Sequence, residues 1–219
     1  MATRRLLDGP EARAEAVRVL QGGGIVAFPT DTVYGIGVSL DAPGGIERLF
    51  AAKQRPPDKA IALLIADASQ AAEIGEVNEA ARVLADAFWP GGLTLVMPLR
   101  SDRSLPAALS GDPAIRQPKV GLRVPDHDAP RALARTVGPL PTTSANRSGE
   151  PEARDAEELE AVLGGALDLI LDGGPARGGP ASTVVDTTFD PVRILRHGAI
   201  SPDSIERCLT SADLPGVGR

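Results

Sequence analysis

The sequence predicts a single mixed α/β domain, on three observations. Helical and strand patterns alternate from one end of the chain to the other. Several apolar runs, Ile25 to Phe28 first among them, are short and unbroken by polar positions, as in strands covered on both faces. The 219 residues carry no internal repeat, heptad or linker that would split them. The expected domain spans residues 1–219, with its core over 10–208 and a tail at 209–219 expected to fray.

Taken in order, Pro10 to Leu20 has Pro at a helix start, acids in the first turn and Ala14, Val17 and Leu20 on one face. Gly22, Gly23 and Gly24 end that helix, because glycine takes the left-handed conformation at little steric cost. Ile25 to Phe28 is a buried strand stopped by Pro29, which removes a donor. Thr30, Asp31, Thr32 and Tyr34 follow at once. Gly44 to Lys53 is a helix with Ile46, Leu49 and Phe50 on one face. Pro56 and Pro57 then fix a stiff loop carrying Lys53, Arg55 and Lys59. Ala60 to Ala66 is a second buried strand, and Asn78 caps a helix to Phe88, ended by Trp89-Pro90-Gly91-Gly92. Leu93 to Pro98 and Val120 to Val124 are strands joined by a loop of no predicted shape.

Asp128 to Thr136 is a short helix, and Leu140 enters a strand expected to break at Pro141. Asp155 to Leu163 is an acidic surface helix, and Leu167 to Leu171 a strand. Asp172 to Pro180 is too rich in Gly and Pro to be anything but loop. Ser182 to Thr188 and Val192 to Arg196 form a hairpin around Phe189-Asp190-Pro191. A final helix runs from Ser201 or Pro202 to Cys208.

Aromatic residues are only 3 % of the chain, so the core must be aliphatic. One cysteine, Cys208, excludes an internal disulfide and fits a reducing compartment. No apolar run approaches the roughly 20 residues needed to cross a bilayer, and Met1 to Asp8 lacks a signal-peptide core. The expected location is the cytoplasm, with no membrane partner. A net charge of −6 argues against nonspecific nucleic-acid binding as the main role. Acids gather on surface helices, whereas Lys53, Arg55, Lys59, Arg116, Lys119, Arg123 and Arg147 lie in or beside loops. This distribution suggests a local anion site on an acidic surface.

Four clusters can carry chemistry: Thr30 to Tyr34, Lys53 to Lys59, Thr142 to Asn146, and Ser182 to Thr183 with Arg196. Each borders a predicted strand, so one rim of a mixed sheet could gather them. Cations on a stiff loop suit a polyphosphate, and hydroxyls with an Asn suit an amino acid or sugar. The plain alternatives are polar turns satisfying their own backbone and a solvated basic loop. There is no Walker P-loop, and His127 and His197 stand alone, so no metal site is expected. Cys208 reads as a buried structural thiol.

Pro29-Thr30-Asp31-Thr32-Val33-Tyr34-Gly35, Lys53-Gln54-Arg55-Pro56, Trp89-Pro90-Gly91, Val120-Gly121-Leu122-Arg123, Thr143 to Gly149, Ser182 to Asp186 and Leu195 to Gly198 resemble, in order, the signature blocks of the YrdC/Sua5 family. The resemblance implies a twisted mixed sheet with a concave basic site. It also implies L-threonylcarbamoyladenylate synthesis, a nucleotidyl transfer from L-threonine, bicarbonate or CO2 and ATP that releases pyrophosphate and feeds the t6A modification of tRNA. Carried over by position, L-threonine contacts fall on Thr32, Arg123, Thr142 and Ser182. ATP contacts fall on Lys53, Arg55, Lys59, Lys119, Ser144, Asn146, Glu152 and Arg196, with Lys53 and Arg55 also placed as catalytic cations. Mg2+ is expected with ATP, and proteins that transfer the threonylcarbamoyl group onward are expected partners, with at most a weak tRNA contact.

Two positions depart from the family pattern: Lys119 where many relatives carry Ser or Thr, and Leu64 where one branch carries His. The Lys-Gln-Arg-Pro block and Lys59 place the chain with the short bacterial-type branch, without the C-terminal domain of the longer form. The rival readings are a noncatalytic RNA-binding paralogue and a carbamoyl-handling domain like those of hydrogenase maturation factors.

Overall fold

A computed structural model describes residues 3–56, 60–110, 117–147, 149–176 and 179–218. Its strands are β1 (Arg4–Leu7), β2 (Val26–Phe28), β3 (Gly35–Gly37), β4 (Ala62–Leu64), β5 (Leu93–Pro98), β6 (Lys119–Arg123), β7 (Leu140–Ser144), β8 (Leu169–Asp172), β9 (Thr183–Asp186) and β10 (Arg193–Arg196). They form one mixed sheet in the order β1-β8-β2-β3-β7-β4-β6-β5-β9-β10. The helices are α1 (Pro10–Gln21), α2 (Gly45–Lys53), α3 (Ala71–Ile74), α4 (Glu79–Phe88), α5 (Ala107–Ser110), α6 (Asp128–Val137), α7 (Ala156–Leu163) and α8 (Pro202–Thr210). None is long and apolar enough to cross a membrane among the described residues.

Side-chain caps start several helices as their sequences require. Asn78, Asp155 and Ser201 accept from the backbone N–H of Ala81, Glu158 and Ser204, filling donors that lack a helical partner. His127 does the same for α6, its Nδ1 accepting from the Ala129 N–H. At the end of α1 only Gly23 takes a positive φ, 82°, so the glycine run needs its freedom at one position.

The structure corrects several expectations. Gly35–Gly37, given no predicted element, is a strand pairing antiparallel with β2 and with β7, so 29–34 is a hairpin connection. Pro141 does not break β7, which runs on to Ser144. Its carbonyl accepts from the Val38 N–H just past the end of β3, so its missing donor falls where the ladder has already finished. Arg4–Leu7 adds a parallel edge strand beside β8. Near the C-terminus Gly218 N–H donates to Val192 O at 2.7 Å, and Val217 N–H to Glu206 Oε2.

Packing on the two faces of the sheet is unequal. On one face Ile46, Leu49, Leu84, Leu159, Ile205 and Leu209 of four helices pack with Leu63, Leu95, Leu122 and Val185 of the strands. On the other, Ala16, Leu20, Ala129 and Leu133 of α1 and α6 pack with Val26, Phe28, Leu140, Leu169 and Leu171. That second pair touches β2, β4, β7 and β8. The same face of β6, β5 and β9, with that edge of β4, is left to line a cavity.

Candidate functional site

Strand alternation explains the lining, because successive side chains point to opposite faces. Val120 and Leu122 go into the core, so Lys119, Gly121 and Arg123 face the cavity. Likewise Leu93 and Leu95 are core while Thr94 and Val96 line the cavity, and Leu63 is core between Ala62 and Leu64. The cavity holds about 350 Å³ and is reached also by Thr32, Arg55, Thr142, Ser144, Ser182 and Arg196.

Three groups of polar side chains stand around it. In the first, Arg123 is clamped from three sides. Its Nη2 donates to Asp31 Oδ1 at 2.6 Å, its Nη1 to Thr32 Oγ1 at 3.1 Å and its Nε to Gly91 O at 3.0 Å. Asp31 and Arg123 side chains are each 8 % exposed, so this ion pair is largely removed from water. Burial lowers the Arg123 pKa while Asp31 raises it, and the guanidinium stays charged. Two of its N–H groups find no acceptor among the described residues and remain for a ligand. The Trp89-Pro90-Gly91 turn, with its cis Trp89–Pro90 bond, presents the Gly91 carbonyl to it.

In the second group, Ser182 Oγ lies 2.8 Å from Thr94 Oγ1 and accepts from Arg196 Nη2 at 2.9 Å. Arg196 also grips the Ser182 carbonyl through Nε and Nη2. An arginine only donates, and one proton lies between the two hydroxyls, so the Thr94–Ser182 pair keeps one O–H for a ligand.

In the third, Lys53 is 2 % exposed and saturated by Ser144 O, Ser144 Oγ at 2.9 Å and Asn146 Oδ1 at 2.6 Å. Burial, with repulsion from Arg55 and Arg196, pushes its ammonium pKa down from the ordinary 10.5 to about 7, against a partial pull from Glu152.

The predicted residues are therefore mostly brought together. Thr32, Arg55, Lys119, Arg123, Thr142, Ser144, Ser182 and Arg196 line the cavity, and Lys53 and Asn146 stand one contact behind Ser144. Thr142 Oγ1 donates to Leu140 O at 2.9 Å, leaving its oxygen as an acceptor. Lys119 is bound to Asp186 at 2.9 Å and lies over the Phe189 ring, so its charge is already matched. Arg55 donates to Ala60 O at 2.8 Å. Glu152 is exposed and away from the lining, and acts on Lys53 and Arg196 only through its charge. Lys59 lies outside the described residues.

Sequence reasoning passed over Thr94, whose signal was one hydroxyl inside the apolar run Leu93 to Pro98. Asp31 carries no local signal of its role, since its partner Arg123 is 92 residues away.

Over residues 18–198 the sequence matches the family model for the Sua5/YciO/YrdC domain, described as "Telomere recombination". The chain belongs to the Sua5/YciO/YrdC family. Within it, the chain is 38 % identical over 195 residues to the threonylcarbamoyl-AMP synthase of Bacillus subtilis, covering 88 % of this chain and 55 % of that protein. It is 35 % identical to a putative threonylcarbamoyl-AMP synthase of Mycobacterium tuberculosis, covering 91 % of this chain and 92 % of the relative. The chain thus spans about half the length of the first relative and nearly all of the second. A crystal structure of Pyrococcus abyssi Sua5 with L-threonine superposes with a TM-score of 0.85 at 32 % identity, covering 99 % of this chain and 62 % of that one. Escherichia coli YciO shares the fold, with a TM-score of 0.79 at 24 % identity over 93 % of this chain and 98 % of that one.

Proposed function

We propose that this Sua5/YciO/YrdC domain is an L-threonylcarbamoyladenylate synthase, joining L-threonine, CO2 or bicarbonate and ATP and releasing pyrophosphate. The observation that carries the reading is the clamped Arg123, a buried cation lining the cavity with two N–H groups to spare, beside a hydroxyl pair with one O–H to give. A carboxylate fits the guanidinium, and the amine and hydroxyl of threonine fit Thr32, Thr142 and Ser182. The relatives' names and the threonine complex of the Pyrococcus abyssi neighbour support the same reading.

Lys53, Arg55, Ser144, Asn146 and Arg196 then take the nucleotide. Mg2+ enters on the ATP phosphates as part of the substrate. Threonine's amine adds to CO2, giving a carbamate and losing a proton. A carbamate oxygen attacks the α-phosphorus and pyrophosphate leaves. Two anions must meet in that step, so the cations act by neutralising charge and holding both reactants in line. The product would pass to proteins that transfer the threonylcarbamoyl group to tRNA adenosine in the cytoplasm.

The test is pyrophosphate release by the purified protein with ATP, Mg2+ and bicarbonate, with and without L-threonine, and with L-serine as control. Release that needs both threonine and bicarbonate is expected. Release independent of threonine, or none despite ATP binding, would overturn the reading.

A further inference from the structure

Gly121 sits in the middle of β6, and nothing among the described residues requires a glycine there. Its φ lies outside the left-handed region where glycine is needed. The nearest atoms a Cβ would meet are Thr94 Cγ2 at 3.6 Å, Ala62 Cβ at 3.8 Å and Val96 Cγ2 at 3.8 Å, all ordinary contacts. Gly35, the other glycine of the lining, differs: a Cβ there would press on Phe28 at 3.0 Å and Thr142 at 3.2 Å. Glycine weakens a strand interior, and where neither backbone nor packing asks for it, close approach of a ligand is the remaining physical reason.

The missing side chain would project into the cavity, because all three atoms it would meet belong to residues of the lining. Along the strand, Arg123 stands about 7 Å away, two residues on. Across the sheet Val96 pairs with Gly121, and Thr94, diagonal to it, holds Ser182. The open floor at Gly121 therefore adjoins both groups assigned to the amino acid, whereas Ser144 lies beyond β4 at the end of β7, with Lys53 bound to it.

We infer that Gly121 is a specificity-determining residue: its absent side chain is the seat on which the amino-acid substrate rests, and it sets how deeply that substrate enters. This rests on the synthase reading of the cavity. An added methyl would fit the protein and occupy the seat. The signature is then a fold as stable as, or more stable than, the natural one, combined with weaker use of threonine.

Gly121→Ala and Gly121→Val test it, with unfolding midpoints, threonine-induced thermal shifts and pyrophosphate release measured on each. For Gly121→Ala the midpoint is expected to be unchanged or raised and KM for L-threonine to increase about tenfold, with KM for ATP altered far less. Gly121→Val should lose the threonine-induced shift; if it does not fold, Gly121→Ala alone decides. Unchanged threonine KM in Gly121→Ala, or equal rises in both KM values, would overturn the assignment. Wild-type protein that shows neither threonine-dependent release nor a threonine-induced shift would overturn the synthase reading and this inference together.

Discussion

Arg123 is oriented before any ligand arrives, and its substitutions separate binding from folding. Arg123→Ala strands the buried Asp31 carboxylate, at a cost of about 3–5 kcal/mol, so its loss of activity would be ambiguous. Arg123→Lys keeps the charge but cannot reach Gly91, Thr32 and Asp31 together while offering two parallel donors. We expect KM for threonine to rise about 10- to 100-fold, with ATP affinity nearly unchanged, read by steady-state kinetics and nucleotide titration. Thr94→Val keeps the shape of the side chain and removes the partner of the Ser182 hydroxyl. A threonine KM about tenfold higher is expected, restored by Thr94→Ser, which returns the hydroxyl. At this scale residue type draws attention to Thr32, Ser182 and Lys53, which border the cavity, whereas Arg123 is assigned to the site by the family resemblance. Thr94 was hidden because a β-branched residue in an apolar strand needs no functional reason to be there.

Elements were legible where their ends carry local signals. Asn78 and Asp155 mark helix starts because a short side-chain oxygen there accepts from a first-turn N–H, which a few neighbouring residues specify. Asn78→Ala should destabilise the fold by about 1 kcal/mol in chemical denaturation and leave KM for threonine untouched, since α4 lies on the face away from the cavity. Gly35–Gly37 was illegible because a three-residue strand with two glycines has neither period nor propensity; only its partners β2 and β7 make it a strand. Tyr34 shows the same dependence on distant partners. Its hydroxyl donates to Gly174 O at 2.6 Å and accepts from Gly173 N–H at 3.1 Å, tying the hairpin connection to the Gly-rich loop after β8. Tyr34→Phe breaks both bonds in a buried place, and faster amide exchange at Gly173 and Gly174 is the expected result.

For the whole molecule, the cavity exists because α1 and α6 cover only part of one sheet face, a matter of long-range assembly that no local pattern encodes. Beside that cavity Lys53 is buried behind Ser144, and its titration should show the burial. Unfolded, its ammonium has the ordinary pKa of 10.5; folded, burial lowers it to about 7. Between those values the unfolded chain binds more protons than the folded one, so stability contributed by this group rises with pH. Below pH 7 the burial penalty on the charged form is felt in full, and it is relieved as pH climbs toward 10.5. Stability of the ligand-free protein, measured by denaturation from pH 6 to 9, should therefore increase, and Lys53→Met should flatten that slope. On the proposed nucleotide site, phosphate charge near Lys53 would favour the ammonium and reverse the balance. Binding at pH 8 should then draw a proton from the buffer, visible in calorimetry as a binding enthalpy that varies with buffer ionisation enthalpy. In Lys53→Met that buffer dependence should vanish together with most of the affinity. A wild-type enthalpy independent of buffer would place Lys53 away from the phosphates.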